Sequence, residues 1–331
     1  MTLELHRLVL EATKRFPQHF LERQTGIAQS WWSTWANKPL QDSYGKYPTD
    51  SGHLASVLSI LGEEIKDVKP SEKLPRILHI DIESAPTLGF VFGRFKQFLS
   101  PSHVVRRGYV LCWCAKWHNE PTMITCSQAD FGKEGTEDDE EVVRAAYDMF
   151  EMADIIVAHN ADRYDIPMLR RQWMKYGMPP PQPYRSADTL KMAKSSAKFE
   201  ANSLAELGAF FELGSKMQTG GFDLWARCMK GEKEAFQEMV DYCCGDVELL
   251  EAVYMKLLPY AKTHPNVALY GINIKPRCTR CGSSDLRPLE KSSYTMTRQY
   301  TAFRCGSCSS INRSRTHSKT AEEMQNILNA A

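Results

Sequence analysis

Two carboxylates inside an apolar strand constrain this chain more than any other feature. The stretch RILHIDIES places Asp81 and Glu83 in an apolar run that predicts a buried strand. Because side chains alternate along a strand, the two carboxylates share one face and Ile82 lies on the other. Burying such a pair is costly unless a cation neutralises it. The motif therefore predicts a cation site on a central strand.

The surrounding sequence predicts an α/β fold. Two further strands, at 108–117 and 122–128, flank the turn-like HNEP, and a fourth follows at 154–160. Helical periodicity covers four segments, which are 137–153, 164–177, 203–213 and 232–258. Three adjacent strands, followed by a helix, a strand and further helices, predict a mixed sheet flanked by helices.

Three more polar side chains are expected to join the pair on the first strand. Asp165 follows the strand at 154–160, where the next helix begins. Tyr242 and Asp246 are four residues apart in the last long helix, so they share one helical face. Hard oxygen donors from three elements suit Mg²⁺ or Mn²⁺ rather than zinc. The expected metal ligands are Asp81, Glu83, Asp165 and Asp246.

Three motifs, in order, resemble those of the DEDD superfamily of exonucleases, which includes polymerase proofreading domains and RNase D-like ribonucleases. The motifs are Asp81-x-Glu83, Asn160-x₃-Tyr164-Asp165 and Tyr242-x₃-Asp246. The resemblance spans residues 74–262. Asp241 stands where the histidine variant of the third motif has its histidine, and a tyrosine follows it. The sequence is therefore similar to the DEDDy subclass.

The resemblance implies a ribonuclease H-like fold and a 3′–5′ exonuclease that releases nucleoside 5′-monophosphates. It also implies that the four carboxylates named above hold two Mg²⁺ or Mn²⁺ ions, and that Tyr242 orients the attacking water. We expect Asn160 and Tyr164 to contact the substrate. The alternative is a DNA-binding regulator or scaffold in which the exonuclease fold is inert.

Four of the ten cysteines form two C-x-x-C pairs near the C-terminus. The pairs Cys278/Cys281 and Cys305/Cys308 are separated by 23 residues, which predicts a Cys₄ zinc ribbon with one structural Zn²⁺. The intervening YTMTRQYTAFRC is expected to pair as a hairpin. A redox dithiol would need only one pair. The other six cysteines lack pair spacing and the N-terminus lacks an apolar signal-peptide core, so we expect reduced thiols and a cytoplasmic protein.

The ribbon is the basic part of the chain. Residues 265–331 carry ten Lys/Arg and four Asp/Glu, whereas residues 1–70 carry eight of each. The cations are interleaved with aromatic residues, a pattern that suits phosphate contacts and base stacking on a single strand. We expect Arg298 and Arg304 to contact the substrate. The alternatives are that the aromatic residues form the ribbon's own core, or that the ribbon docks a protein.

The N-terminal segment FLERQTGIAQSWWSTWANKP (20–39) resembles a helix-turn-helix of the phage-repressor type, with Gly26 at the turn. Glu22 departs from the small residue usual before that turn. The neutral charge of this segment also argues against tight DNA binding on its own. A small helical bundle with a tryptophan core, or a module that docks another protein, fits the sequence equally well.

Two polar, proline-punctuated segments, 63–75 and 264–276, predict three domains. These are a helical domain at 1–65, an exonuclease core at 74–262, and a zinc ribbon with a short tail at 275–331. No apolar run is long enough to predict a membrane helix. We expect single-stranded nucleic acid or 3′ ends as partners, with DNA favoured over RNA, and a replication or repair protein as a further partner.

Overall fold

The computed structural model describes residues 74–93, 95–214, 221–270 and 275–328. The predicted helical domain at 1–65, with its helix-turn-helix, lies outside these residues. The described strands, in chain order, are β1 Ile77–Ser84, β2 Leu88–Gly89, β3 Val104–Arg106, β4 Val110–Trp117, β5 Met123–Ser127, β6 Ile155–Ala158, β7 Arg185–Asp188, β8 Leu286–Pro288, β9 Ser293–Tyr294, β10 Gln299–Tyr300, β11 Ala302–Cys305 and β12 Ile311–Arg313. The described helices are α1 Glu140–Met152, α2 Asp165–Lys175, α3 Thr189–Ser196, α4 Leu204–Phe210, α5 Phe222–Met229, α6 Lys233–Leu257 and α7 Ala321–Gln325.

Five strands form the central sheet, in the order β5-β4-β1-β6-β7. β1 and β5 both pair antiparallel with β4, whereas β6 runs parallel to β1 and to β7. The sheet is therefore mixed, with helices on both faces, and the predicted ribonuclease H-like α/β architecture is confirmed. The strand β7 and the helices α3 and α5 were not predicted from the sequence.

The two faces of β1 differ as the alternation predicts. Leu78, Ile80 and Ile82 are buried in a core shared with α1 and α2. Ile77 points the other way, into a second core formed with the C-terminal half of α6. A third core lies under the N-terminal half of α6, where β4 meets α5. The carboxylate-bearing face of β1 is therefore the one covered by the long helix.

The C-terminal residues form a small sheet and a hairpin. The sheet has the order β12-β11-β8, and β9 and β10 pair antiparallel, as predicted for this stretch. Among the described residues, no helix combines the length and the apolar character that crossing a bilayer would require.

Candidate active site

The carboxylates of β1 lie where the central sheet opens. β1 pairs with β6 only over residues 77–79, although it continues to Ser84. Asp81 and Glu83 are therefore beyond the point where the two parallel strands separate. Cys243 of α6 contacts this face, and its Sγ donates a hydrogen bond of 3.4 Å to the Asp81 carbonyl oxygen. The opening between the strands leaves room for other elements to approach the pair.

Helix α6 brings a third carboxylate to this point. One carboxylate oxygen from each of Asp81, Glu83 and Asp246 lies within 4.8 Å of the other two. Tyr242, one turn earlier on the same helix, is largely buried and packs edge-on against Trp225 of α5, with ring centroids 6.0 Å apart. The third predicted motif is thus placed against the first.

The fourth predicted ligand, Asp165, is the first residue of α2 and is buried. A backbone hydrogen bond from Ile82 reaches its carboxyl group, which ties the start of α2 to β1. Asp165 does not belong to the 4.8 Å group, but its charge is among those that raise the pKa of Asp81. Three of the four predicted metal ligands are therefore close enough together to bind one cation, and the fourth lies beside them.

Crowding shifts the protonation of these groups. Burial raises the pKa of Asp81 well above its usual range, and the neighbouring Cys243 and the other carboxylates raise it further. Burial also raises the pKa of Asp165 to about 7, against the opposing effect of backbone hydrogen bonds. Mutual repulsion among hard oxygen donors is what a bound divalent cation relieves. The donor set therefore fits Mg²⁺ or Mn²⁺.

The turn between β6 and α2 contains the two expected substrate contacts. Asn160 has a left-handed backbone with a φ of 67°. Tyr164 is exposed, and its hydroxyl is hydrogen bonded to Ser84 Oγ at 2.7 Å. Asn160 is half-buried, so Tyr164 presents the larger surface next to the end of β1.

Asp188, at the end of β7, positions this turn and was not assigned a role from the sequence. It is buried, and its carboxylate accepts from the backbone N–H of Asn160 at 3.1 Å and of Asp162 at 3.3 Å. The same carboxylate caps α3 by accepting from Leu190 N at 3.0 Å. An Asp just before a helical run is an N-cap signal that could have identified it.

A second cluster on the same face of β1 contains His79, His118 and Glu251, whose ligand atoms also lie within 4.8 Å of one another. His79 Nε2 and His118 Nδ1 are 3.1 Å apart, and Lys116 forms an ion pair with Glu251. Burial lowers the pKa of His79 to about 3, so this ring is neutral at pH 7. The lysine already neutralises the carboxylate, and the cluster is a hydrogen-bonded network that connects β1, β4 and α6.

The four C-terminal cysteines converge. Cys278 and Cys308 have their sulfur atoms 3.5 Å apart, and those of Cys281 and Cys305 are 3.6 Å apart. All four sulfur atoms lie within 4.8 Å of one another. A tetrahedron with Zn–S bonds of about 2.3 Å has edges close to these separations. The four-cysteine cluster is therefore compatible with a zinc ribbon.

Polar groups around Cys278 favour its thiolate form. The backbone N–H of Arg280 donates to Cys278 Sγ at 3.4 Å, and Asn312 Nδ2 donates to the same atom at 3.5 Å. Hydrogen bonds from Cys281 and Cys308 hold the pKa of Cys278 well below its usual range. Donors that point at the sulfur atoms orient metal ligands in the way expected around a thiolate site.

The cysteine site lies against the central domain. Cys281 and Cys308 pack on the core that includes the end of α6. Arg280 donates from Nη1 to the His264 carbonyl at 3.0 Å, and Val267 N–H donates to the Thr279 carbonyl at 2.9 Å. Val267 itself is buried. The described part of the predicted linker at 264–276 is therefore packed, so the two units share an interface.

The predicted substrate contacts of the ribbon are at its surface. Arg298 and Arg304 are exposed, as is Tyr294 at the β9–β10 hairpin. Tyr300 is half-buried beneath Arg313, whose guanidinium carbon lies 4.7 Å from the ring centroid. The aromatic residues are thus divided between the surface and the ribbon's interior.

A family model agrees with this fold. A family model described as RNase_H superfamily matches residues 115–258, which include Asp165, Tyr242 and Asp246 but begin after Asp81 and Glu83. A solved family B DNA polymerase from the hyperthermophilic archaeon Pyrobaculum calidifontis is similar at 18% identity and a TM-score of 0.42. That match covers 56% of this chain and 25% of the polymerase, so the chain spans about a quarter of that protein. No curated protein matches significantly. Residues 115–258 are thus similar to the RNase_H superfamily, in agreement with the ribonuclease H-like fold.

Proposed function

We propose that the protein is a two-metal-ion 3′–5′ exonuclease that hydrolyses nucleic acid to nucleoside 5′-monophosphates, with DNA favoured over RNA. One observation carries the proposal. Asp81, Glu83 and Asp246 place carboxylate oxygens within 4.8 Å of one another at the opening of a ribonuclease H-like sheet. The RNase H-superfamily match of residues 115–258 supports nuclease chemistry.

The residues of the site would have different roles in the reaction. Asp81, Glu83, Asp165 and Asp246 would hold the cations. Bound there, two divalent cations supply an activated water and stabilise charge on the attacking and leaving oxygens. Tyr242, on the same face of α6 as Asp246, would orient the water by hydrogen bonding. Tyr164 and Asn160 would contact the terminal nucleotide beside β1.

The burial of Asp81 and Asp165 also suits this chemistry. The raised pKa of Asp81 and of Asp165 means that these carboxyl groups resist ionisation until a cation is present. Cation binding would then displace protons, so occupancy of the site should increase with pH. A site that is assembled only with its cation would not hydrolyse nucleic acid when metal is scarce.

The four cysteines would hold one structural Zn²⁺ rather than a catalytic ion, because four thiolates complete its coordination and leave no open position. Exposed Arg298 and Arg304 would then contact substrate phosphates from the ribbon. A replication or repair protein remains a proposed partner, suggested by the resemblance to proofreading domains.

The competing function is a DNA-binding regulator with an inert exonuclease fold. The complete set of four carboxylates and Tyr242 favours the enzyme, because an inert scaffold has no need of acidic groups that repel one another. The tryptophan-rich segment at 20–39, on which the regulator depends most, lies outside the described residues.

Digestion of end-labelled strands tests the proposal. Single- and double-stranded DNA and RNA, labelled at the 3′ or the 5′ end, are incubated with Mg²⁺, Mn²⁺ or EDTA. We expect immediate release of the 3′ label as a mononucleotide and a ladder from the 5′-labelled strand, only with a divalent cation. Asp246→Ala should be inactive. No cation-dependent digestion of any strand would support the regulator.

A further inference from the structure

An arm of the chain follows β1 and carries unusually exposed aromatic residues. The arm comprises residues 88–106, and its base is the β2–β3 pair, in which Leu88 lies opposite Arg106. Phe90 N–H donates to the His103 carbonyl at 3.0 Å, and a side chain on Gly89 would collide with Leu99. The base of the arm is thus a defined, hydrogen-bonded structure.

Four phenylalanines project from this arm into solvent. Their exposed fractions are 76% for Phe90, 99% for Phe92, 85% for Phe95 and 86% for Phe98. Apolar surface concentrated in this way on a soluble domain marks an interaction site. The four exposed rings are therefore available to contact a partner.

Charge identifies the class of partner. Residues 88–107 contain four Lys/Arg and no Asp/Glu. Lys96 and Arg107 are exposed among or just after the aromatic residues. A cationic surface that presents aromatic rings is complementary to single-stranded nucleic acid, because phosphates meet the cations and bases stack on the rings.

A cleft beside the arm is bordered by α2, the helix that begins at Asp165 of the candidate active site. It lies between the base of the arm and α2, and three cations line it, Arg107, Arg171 and Lys175, with Glu137 as the acidic member of the lining. α2 begins at Asp165, and six residues of helix place Arg171 about 9 Å further along its axis. The arm starts five residues after Glu83, a span of at most about 18 Å.

We propose that the arm and this cleft bind the single-stranded part of the substrate behind the end being hydrolysed. Bases stack on the phenylalanines of the arm, and phosphates contact Arg107, Arg171 and Lys175. The inference rests on the proposed nuclease function, since it places the strand beside α2, the helix that begins at the proposed metal ligand Asp165. It assigns base stacking to the arm and charge neutralisation to the cleft.

Binding without hydrolysis separates this proposal from the catalytic one. The full chain in an Asp246→Ala background is titrated, without added divalent cation, into a fluorescent oligothymidylate and into an abasic strand of equal length. We expect the background protein to bind the thymidine strand at least tenfold more tightly. The double variant Phe92→Leu/Phe95→Leu should lose that preference while its affinity for the abasic strand stays unchanged, and Phe92→Trp/Phe95→Trp should retain it.

Matched variants separate stacking from charge. Tyr260→Leu removes an aromatic side chain that is 71% exposed after α6, and it should have no effect. Arg107→Ala, at an exposed cation of the cleft, should weaken both strands equally and reduce the salt dependence of binding. An unchanged preference in the Phe92→Leu/Phe95→Leu variant overturns the proposal. If that variant instead melts at a lower temperature with its preference intact, the arm packs against residues 1–73. Absence of hydrolysis in the digestion assay would refute the nuclease and leave this binding result standing.

Discussion

The two candidate metal sites of this protein are built in opposite ways. The carboxylate site draws Asp81 and Glu83 from β1, Asp165 from α2 and Asp246 from α6, all supported by large apolar cores. The cysteine site is assembled from two short loops beside strands of two to four residues. We therefore expect the fold around the first site to form without metal, and the ribbon to need zinc in place of an apolar core of its own.

This difference predicts opposite responses to the loss of a ligand. Carboxylates that repel one another lower the stability of the metal-free fold, so removing one relieves strain and abolishes only function. Thiolates that share a metal hold their segment together, so removing one unfolds it. Stability measurements and activity measurements should therefore identify different residues.

Zinc loss should have the largest effect. A double change, Cys278→Ser with Cys305→Ser, removes ligands from a site whose metal contributes on the order of 10 kcal/mol to folding in small zinc modules. Residues 275–328 should lose their protection from amide hydrogen exchange. Because Cys281 and Cys308 also cover the end of α6, residues near Tyr254 should become somewhat less protected. Exchange that is unchanged throughout the ribbon would contradict a structural metal.

Loss of a catalytic carboxylate should be the next largest effect. Asp81→Ala should reduce the rate of hydrolysis by about 10³-fold or more, because it removes a proposed metal ligand. The melting temperature of the metal-free protein should stay the same or rise. Asp241→Ala is the matched control, since Asp241 is an exposed acid on α6 beside Tyr242. Full activity in Asp81→Ala would contradict the assignment of this site.

Tyr242→Phe should have a smaller effect on hydrolysis than Asp81→Ala or Asp246→Ala. It removes one proposed hydrogen bond to the attacking water and no metal ligand, so we expect kcat to fall by about 10- to 100-fold. The ring would still pack against Trp225, and the melting temperature should not change. A loss as large as that of Asp81→Ala would show that the hydroxyl has a more direct role.

The pH dependence of stability should reveal the strain in the metal-free site. Burial raises the pKa of Asp165 to about 7, above its ordinary value of 3.8, so the native state binds a proton that the unfolded chain releases. The contribution of Asp165 to stability is present below pH 4 and is lost as the pH rises towards 7. Relative to Asp165→Asn, the wild type should lose about 1 kcal/mol per pH unit between pH 5 and 7. A difference in unfolding free energy between the wild type and Asp165→Asn that is the same at pH 5 and at pH 7 would contradict this.

The ribbon arginines should have the smallest effect. Arg298→Ala with Arg304→Ala removes two exposed cations from a surface proposed to attract phosphates. We expect a several-fold increase in KM at low salt, little change in kcat, and a difference that shrinks as salt rises. Lys230→Ala with Lys233→Ala, which removes two exposed cations of the central domain, is the charge-matched control. Equal KM values at low salt would favour a ribbon that docks a protein.

The sequence predicted features that local periodicity determines. Alternation along RILHIDIES placed Asp81 and Glu83 on one face, and helical spacing placed Tyr242 with Asp246. The strand β7 was missed because RSAD is short and has only one apolar residue, so it has no periodic signal, although it joins the sheet through β6. The role of Asp188 depends on that strand.

Long-range packing explains the other omissions. The segment 264–276 has the composition of a linker, yet Val267 is buried by contacts with residues far along the chain. The arm was also missed, since Leu88 and Gly89 form too short a strand to show alternation. The packing partners of a segment decide which of its side chains are buried. The spacing of apolar residues within the segment does not reveal those partners.

Manganese binding tests the central contrast most directly. Zinc-loaded wild type and Asp246→Ala are titrated with Mn²⁺ and followed by electron paramagnetic resonance of the free ion, with zinc content measured in the same samples. We expect saturable Mn²⁺ binding by the wild type, loss of that binding in Asp246→Ala, and one zinc per chain in both. Equal Mn²⁺ binding by the two proteins would contradict a metal site built from Asp81, Glu83 and Asp246.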